Sequence, residues 1–162
     1  MTEPKDPRSR AYSAAGALFF DSQGHIMLVK PIYKQSWEIP GGYLQPGESP
    51  LNACIREVRE ELGIEPTIGH LLAVDWAPNA KEGDKILWVF DGGTLSDDLV
   101  SNIHLQESEL SEYKYYSLQE AQDLLIPRLA RRVAIAAEAH HQNQVVYLEG
   151  GVRPLRGGPA VL

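Results

Sequence analysis

GGYLQPGESPLNACIREVREELGI, residues 41–64, joins a glycine-rich loop to a segment dense in carboxylates and periodic aliphatics. Pro50 suits the first position of a helix, because its φ is already helical and its missing N–H would have no partner there. At about 100° per residue, a helix opened by Pro50 gathers Leu51, Ile55, Val58 and Leu62 into an arc of roughly 60°, an apolar stripe able to dock on a sheet. Glu57, Glu60 and Glu61 fall in a separate arc of about 100° on the opposite edge. Like charges at these spacings cost a few tenths of a kcal/mol each, so a counter-cation explains the face better than stability does. Carboxylate oxygens suit hard cations, Mg²⁺ or Mn²⁺, and Mg²⁺ keeps positions for water and substrate phosphates. These residues alone leave a second reading open, a solvated acidic helix with Arg56 and Arg59 as partners.

The loop narrows the choice. Gly42, five residues, Glu48, seven residues, then Arg56, Glu57, Val58, Glu60, Glu61, Gly63 and Ile64 fit G-x5-E-x7-R-E-U-x-E-E-x-G-U at every specified position, U being a bulky aliphatic. Average residue usage gives such a match a chance probability on the order of 10⁻⁸ in a chain of this length, which sets coincidence aside. The stretch resembles the Nudix box, and the chain resembles a MutT-like Nudix hydrolase over roughly residues 12–149.

The resemblance implies an α/β fold: a Nudix-type α/β/α sandwich with a central mixed sheet. It also implies hydrolysis of the diphosphate linkage in a small nucleoside diphosphate-X or nucleoside triphosphate, with Mg²⁺ or possible Mn²⁺ as cofactor. Carried over residue by residue, Glu57, Glu60 and Glu61 would ligate the metal, and the Gly41 carbonyl would complete the site. Arg56 would orient Glu57, Glu48 would tie the loop to the helix, and Gly42 and Gly63 would shape the motif. Glu57 is the expected general base, with Glu61 or Glu109 behind it. In the family a long acidic loop before an aromatic strand delivers one more carboxylate. Aligning Tyr115 with the family's usual tryptophan marks Glu109, with Glu107 and Glu112 as neighbours. Trp37 stands where the family often has an aromatic before the PGG, to stack on a base or to cap the core. Lys30, at a strand end, is a candidate phosphate contact or simply a solvated lysine. Pro78 lies near where ADP-ribose-cleaving members carry a proline; nucleoside triphosphates and dinucleoside polyphosphates stay open as substrates.

Two rival classes share such a fold. A catalytically silent, nucleotide-binding regulatory protein would keep the shape and lose the acids, which are intact here. A diphosphate isomerase would need a catalytic cysteine outside the box, whereas the one cysteine, Cys54, lies inside it.

Composition sets the outer bounds. A chain of 162 residues with 43% hydrophobic and 23% charged residues reads as one globular domain. The net charge of −7 disfavours polymeric nucleic acid and anionic membranes as partners. A single cysteine allows no disulfide within the chain, and Cys54 reads as a small buried side chain. No apolar run approaches the 18 or so residues of a membrane span and the first ten residues lack a signal-peptide core, so a cytoplasmic location is expected. Oligomeric state, monomer or homodimer, stays open.

Along the chain, residues 1–11 and 150–162 read as flexible tails around a domain at 12–149. Residues 14–21 and 25–29 form a hairpin signature across an Asp21–Gly24 turn. A loop follows, with a short strand at residues 37–39. Strands are expected at 68–76, 85–90 and 112–117, the last after an acidic loop at 93–110 and before a short helix. Pro127 opens a second long helix that turns Leu129, Val133, Ala136 and Ala137 to the sheet and leaves Arg128, Arg131, Arg132 and Glu138 largely off that face. His140 and His141 suit the negative end of its dipole, His70 has no assigned role, and residues 144–148 read as an edge strand.

Overall fold

The computed structural model describes residues 6–155. In chain order the elements are β1 (Tyr12–Phe20), β2 (Ile26–Pro31), β3 (Gly41–Tyr43), α1 (Pro50–Leu62), β4 (Leu71–Ala77) and β5 (Lys85–Thr94), then α2 (Asp97–Ser101), β6 (Leu110–Tyr116), α3 (Leu118–Leu124), α4 (Pro127–Gln142) and β7 (Val146–Glu149). The sheet runs β6-β2-β1-β5-β4-β7, and β3 also pairs with β1. Pairs β1–β5 and β4–β7 are parallel and the others antiparallel, so the sheet is mixed.

β1 is the spine. Its side chains alternate between two cores, as strand geometry requires. Ala15, Ala17 and Phe19 join Met27, Val29, Phe90, Cys54, Val58 and Leu62 beneath α1. Leu18 and Phe20 join Ile26, Leu28, Val89, Val133, Ala136 and Ala137 beneath α4. Burial on both faces is why β1 and β2 read as apolar runs rather than alternating strands. The result is the expected α/β/α sandwich, with α1 and α4 on opposite faces.

Local chemistry fixes the ends of α1. The Ser49 hydroxyl accepts the Asn52 N–H at 3.2 Å, Pro50 fills the first turn, and Gly63 ends the helix at φ 69°. The buried face of α1 is Ala53, Cys54, Val58, Glu61 and Leu62. This corrects the stripe read from hydropathy: Leu51 is 39% exposed, and Glu61 lies inside.

Other differences are local. The short strand expected at residues 37–39 is reduced to two isolated bridges, Val29–Glu38 and Trp37–Leu125, and the strand forms instead at the start of the glycine loop, where β3 pairs Gly41–Tyr43 with Ala14–Gly16. The acidic segment contains α2, capped by Ser96, and β5 continues through Gly92, whose missing side chain leaves room for the Phe19 ring. His140 Nδ1 bonds Asp91 Oδ2 at 2.7 Å, the carboxylate accepting, and the ring stacks on Phe20 at 4.1 Å, so it packs against the sheet besides sitting at a helix end. Of the tail expected at 150–162, residues 150–153 are tied down: Gly150 N–H bonds the Trp76 carbonyl, Gly151 N–H bonds Asp75, and Arg153 meets Glu138. Residues 156–162, like 1–5, lie outside the described residues.

Candidate active site

Arg56 is the hub of the loop–helix junction. Its Nε and Nη2 grip both oxygens of Glu48 at 2.8 and 2.9 Å, and Nη2 also donates to the Tyr43 carbonyl at 3.0 Å. Its Nη1 holds Glu57 Oε1 at 2.7 Å and Glu60 Oε2 at 3.1 Å. One guanidinium thus fastens the loop to the helix and fixes one oxygen of each of two helix acids. Hydrogen bonds from Arg56, then from the Gln45 N–H, hold the Glu48 carboxyl down at about 2.

Two glycines set the spacing between loop and helix. A side chain at Gly42 would put its Cβ 2.5 Å from the Glu57 carboxylate. The Gly41 N–H donates to Glu61 Oε2 at 3.0 Å. With no Cβ at Gly42, strand β3 can lie directly against the acidic edge of α1, and with none at Gly41 it can lie against β1, where a Cβ would run into the Ala15 carbonyl oxygen.

Glu61 is only 7% exposed. Burial pushes its carboxyl up to about 8 against the opposing Gly41 N–H, and Glu57, Glu109 and Glu38 add like charge. Burial also raises Glu57, opposed by Arg56 and reinforced by Glu60 and Glu109. Glu109 therefore lies within the field of both helix acids. Its placement is built by the chain after α2: His104 N–H bonds the Leu62 carbonyl, Gln106 N–H bonds the Glu61 carbonyl, and Glu109 carries the Gln106 contact on to Ile32.

Of the four acids Glu57, Glu60, Glu61 and Glu109, Arg56 bonds the first two, and burial raises the carboxyls of Glu57 and Glu61. Among the described residues no three metal-binding side chains are already gathered at ligating distance. The donor set nevertheless fits a hard divalent cation, being all oxygen and short of positive charge.

On the α4 side of β3 a cleft of about 580 Å³ opens. Ala14, Gly16, Leu87 and Val89 line it from the sheet, Tyr33, Lys34 and Glu38 from the loop after β2, and Arg128, Leu129 and Arg132 from α4. Gly41 and Gly42 border it too, and the same two glycines touch Glu61 and Glu57. A second hollow of about 510 Å³, outside α4 between Gln122, Pro127 and Val152, has no acid in its lining.

Two expected substrate contacts stand elsewhere. Trp37 is 8% exposed and packs edge-to-face on Tyr116 at 5.2 Å, while its backbone bridges Leu125. It caps the core and offers no open face to a base. Lys30 Nζ donates to the carbonyls of Lys34 and Gln35, which curls the loop after β2, and it does not line the cleft. The cleft instead presents Tyr33, 71% exposed, together with Lys85, Arg128 and Arg132. For Arg132 the sequence carried one signal: Asp75, a lone acid inside the apolar strand LLAVDWA, needs a buried partner.

The NUDIX domain family model matches residues 11–137. An RNA pyrophosphohydrolase of Hydrogenovibrio crunogenus is 29% identical over 117 residues, covering 63% of this chain and 69% of that protein. The CTP pyrophosphohydrolase of Escherichia coli K12 is 54% identical over 61 residues, 35% of this chain and 45% of its own. Further RNA pyrophosphohydrolases match over about a third of their length (34–36%), so the chain spans well under two thirds of most of these relatives. Among solved structures, a MutT protein from Methanosarcina mazei Go1 superposes with a TM-score of 0.65 at 24% identity, over 85% of this chain and 99% of that one.

Proposed function

The chain belongs to the NUDIX family, and from that premise we propose that it hydrolyses the diphosphate linkage of a small nucleotide, a nucleoside triphosphate or nucleoside diphosphate-X, with Mg²⁺ or Mn²⁺. One observation carries the reading: Glu57 lies against Gly42 and Glu61 against Gly41 at the border of a cleft whose volume, about 580 Å³, suits a nucleotide, with Glu60 and Glu109 near enough to add like charge. Those acids and the Gly41 carbonyl would hold the cation. When bound, it supplies the positive charge that lets a nucleophile approach a diphosphate.

The chain's own residues do the rest. Arg56 holds Glu57 through Oε1, which leaves Oε2 without a protein donor among the described residues. Glu57 Oε2 takes the proton of the attacking water as its oxygen bonds to phosphorus, and the bridging P–O bond breaks with its electrons going to the leaving phosphate. Gly42 keeps that carboxylate close to the cleft. Tyr33 at the rim supplies an aromatic face for the base, the role that Trp37 cannot fill from the core.

The net charge of −7 favours small nucleotides over RNA chains. No helix among the described residues is long and apolar enough to cross a membrane. A buried lone thiol, Cys54, suits the reducing cytoplasm we assign.

The test is a product-resolved screen of nucleoside triphosphates, nucleotide sugars, dinucleoside polyphosphates and a 5′-triphosphorylated oligonucleotide, each with Mg²⁺ and with Mn²⁺. Release of a nucleoside monophosphate from a small substrate supports the proposal. Binding without turnover of any of them would identify a silent nucleotide-binding regulator instead.

A further inference from the structure

A buried ion pair at the cleft is left unused by the hydrolytic chemistry. Asp75 is fully buried in the middle of β4, and both its oxygens are engaged: Oδ2 accepts from Arg132 Nε at 2.6 Å and Oδ1 from the Gly151 N–H at 3.1 Å. The Arg132 side chain is 8% exposed. Bonding through Nε leaves both Nη groups without a hydrogen-bond partner among the described residues. The only side-chain nitrogen or oxygen there that is both fully buried and unpartnered is Trp88 Nε1. The Nη groups therefore keep open surface, and the cleft is what Arg132 lines. A charge taken out of water is costly to hold, and this one is held with its donor fork open toward a hollow. Arg128, one turn earlier, lines the same end.

Sheet register places this fork relative to the acids. Tyr43 pairs with Ala14, Ala14 with Leu87, and Leu87 with Asp75. Three inter-strand steps of about 4.8 Å put Asp75 roughly 14 Å from β3, about the reach from a diphosphate through its ribose to the base.

We propose that Arg132, positioned by Asp75, is the base-selecting residue of the cleft, donating two parallel N–H groups to a base edge with two adjacent acceptors. Guanine offers O6 and N7 on such an edge, and cytosine offers O2 and N3. Adenine sets its N6 amino donor beside N7 and N1, and uracil separates O2 from O4 by the N3–H, so neither matches the fork. The inference deepens the hydrolase reading and rests on its placement of the nucleotide in this cleft.

The experiment measures equilibrium binding, with Mg²⁺, of methylene-bridged, non-hydrolysable analogues of GTP, CTP, ATP and UTP by calorimetry. The wild-type protein is expected to bind the guanine or the cytosine analogue roughly 5- to 150-fold more tightly than the adenine and uracil analogues. Arg132→Lys, which keeps the charge and removes the fork, is expected to erase that gap. Equal affinity for all four bases in the wild-type protein overturns the inference and needs no variant to fold. A base preference that survives unchanged in a folded Arg132→Lys protein overturns it as well. Turnover is scored separately: base selection by Arg132 without hydrolysis would support this inference while refuting the hydrolase reading.

Discussion

Glu61→Gln should stabilise the metal-free protein, increasingly so as pH rises. The Glu61 carboxyl moves from an ordinary 4.5 to about 8 on folding, because it is buried beside Gly41 with Glu57 and Glu109 near it. The sign follows from proton counting. A folded state that binds the proton more tightly loses stability as pH climbs through the unfolded value, and the loss levels off above the folded one. Each pH step between the two is worth about 1.4 kcal/mol. The burden is therefore about 1 kcal/mol at pH 5, about 3 at pH 7 and between about 4 and 5 at pH 8.5. Glutamine keeps the shape and an acceptor for the Gly41 N–H but has no charge to bury, so the variant escapes the burden. Urea denaturation of both proteins in EDTA at the three pH values reads the difference directly. A difference that stays flat with pH, or a variant less stable than wild type at pH 8.5, would refute the account of Glu61 as a buried, like-charge-crowded acid. Millimolar Mg²⁺ should then raise the wild-type melting temperature at pH 8.5 more than the variant's, since binding to the folded state alone adds stability by mass action.

Glu57→Gln should fold normally and lose at least 10²-fold in kcat on the best substrate, as removal of a ligand or base does; full activity in a folded variant would exclude Glu57 from the mechanism. Gly42→Ala drives a methyl into the Glu57 carboxylate, 2.5 Å away before relaxation, and should cost about 10²-fold in kcat through misplacement with an unchanged circular dichroism spectrum. Trp37→Ala should lower stability by about 3–5 kcal/mol as a core truncation with KM little altered. Tyr33→Ala should do the reverse, raising KM roughly 5- to 150-fold with stability unchanged, the worth of one stacked base. Chelating the metal should weaken binding of a non-hydrolysable nucleotide at least tenfold, about 1.4 kcal/mol, while affinity for the parent nucleoside stays the same; an equal loss for both would mean that the acids do not face the phosphates.

The box was legible because its spacing encodes contacts within one loop and one helix. Ser49, Pro50 and Gly63 are local signals, and the Arg56 contacts to Glu48, Glu57 and Glu60 all lie within that stretch. What sequence reading missed depended on partners far along the chain. Counting Glu61 as polar turned the predicted apolar face toward Leu51, whereas the Gly41 N–H, 20 residues away, lets an acid go inside. Arg132 looked like an off-face residue until Asp75, 57 residues earlier, supplied its charge partner. Trp37 and Tyr33 are both aromatic and both precede the glycines. Backbone pairing decides between them: the Val29–Glu38 and Trp37–Leu125 bridges fasten the later residue to the core, while the turn leaves the earlier one at the rim.

Placed side by side, these two long-range burials give the cleft a polarity. Around Gly41 and Gly42 the helix acids outnumber the one arginine that bonds them; at the β4 end Arg128, Arg132 and Lys85 outnumber Asp75 and Glu82. A nucleotide alone would be drawn in backwards, its phosphates toward the arginines and away from the acids. A divalent cation held by the acids would reverse that preference, because the β3 end would become the stronger site for phosphate and the guanidinium fork would be left to a neutral acceptor edge. Charge pairs 4 Å apart are worth about 4 kcal/mol at an effective dielectric near 20, so the reversal is large compared with the roughly 1–3 kcal/mol of stacking at Tyr33. On this reading the cation does more than assist phosphorus chemistry. It would also set the direction in which the substrate lies, with the base meeting Arg132 once the phosphates are held at the acids.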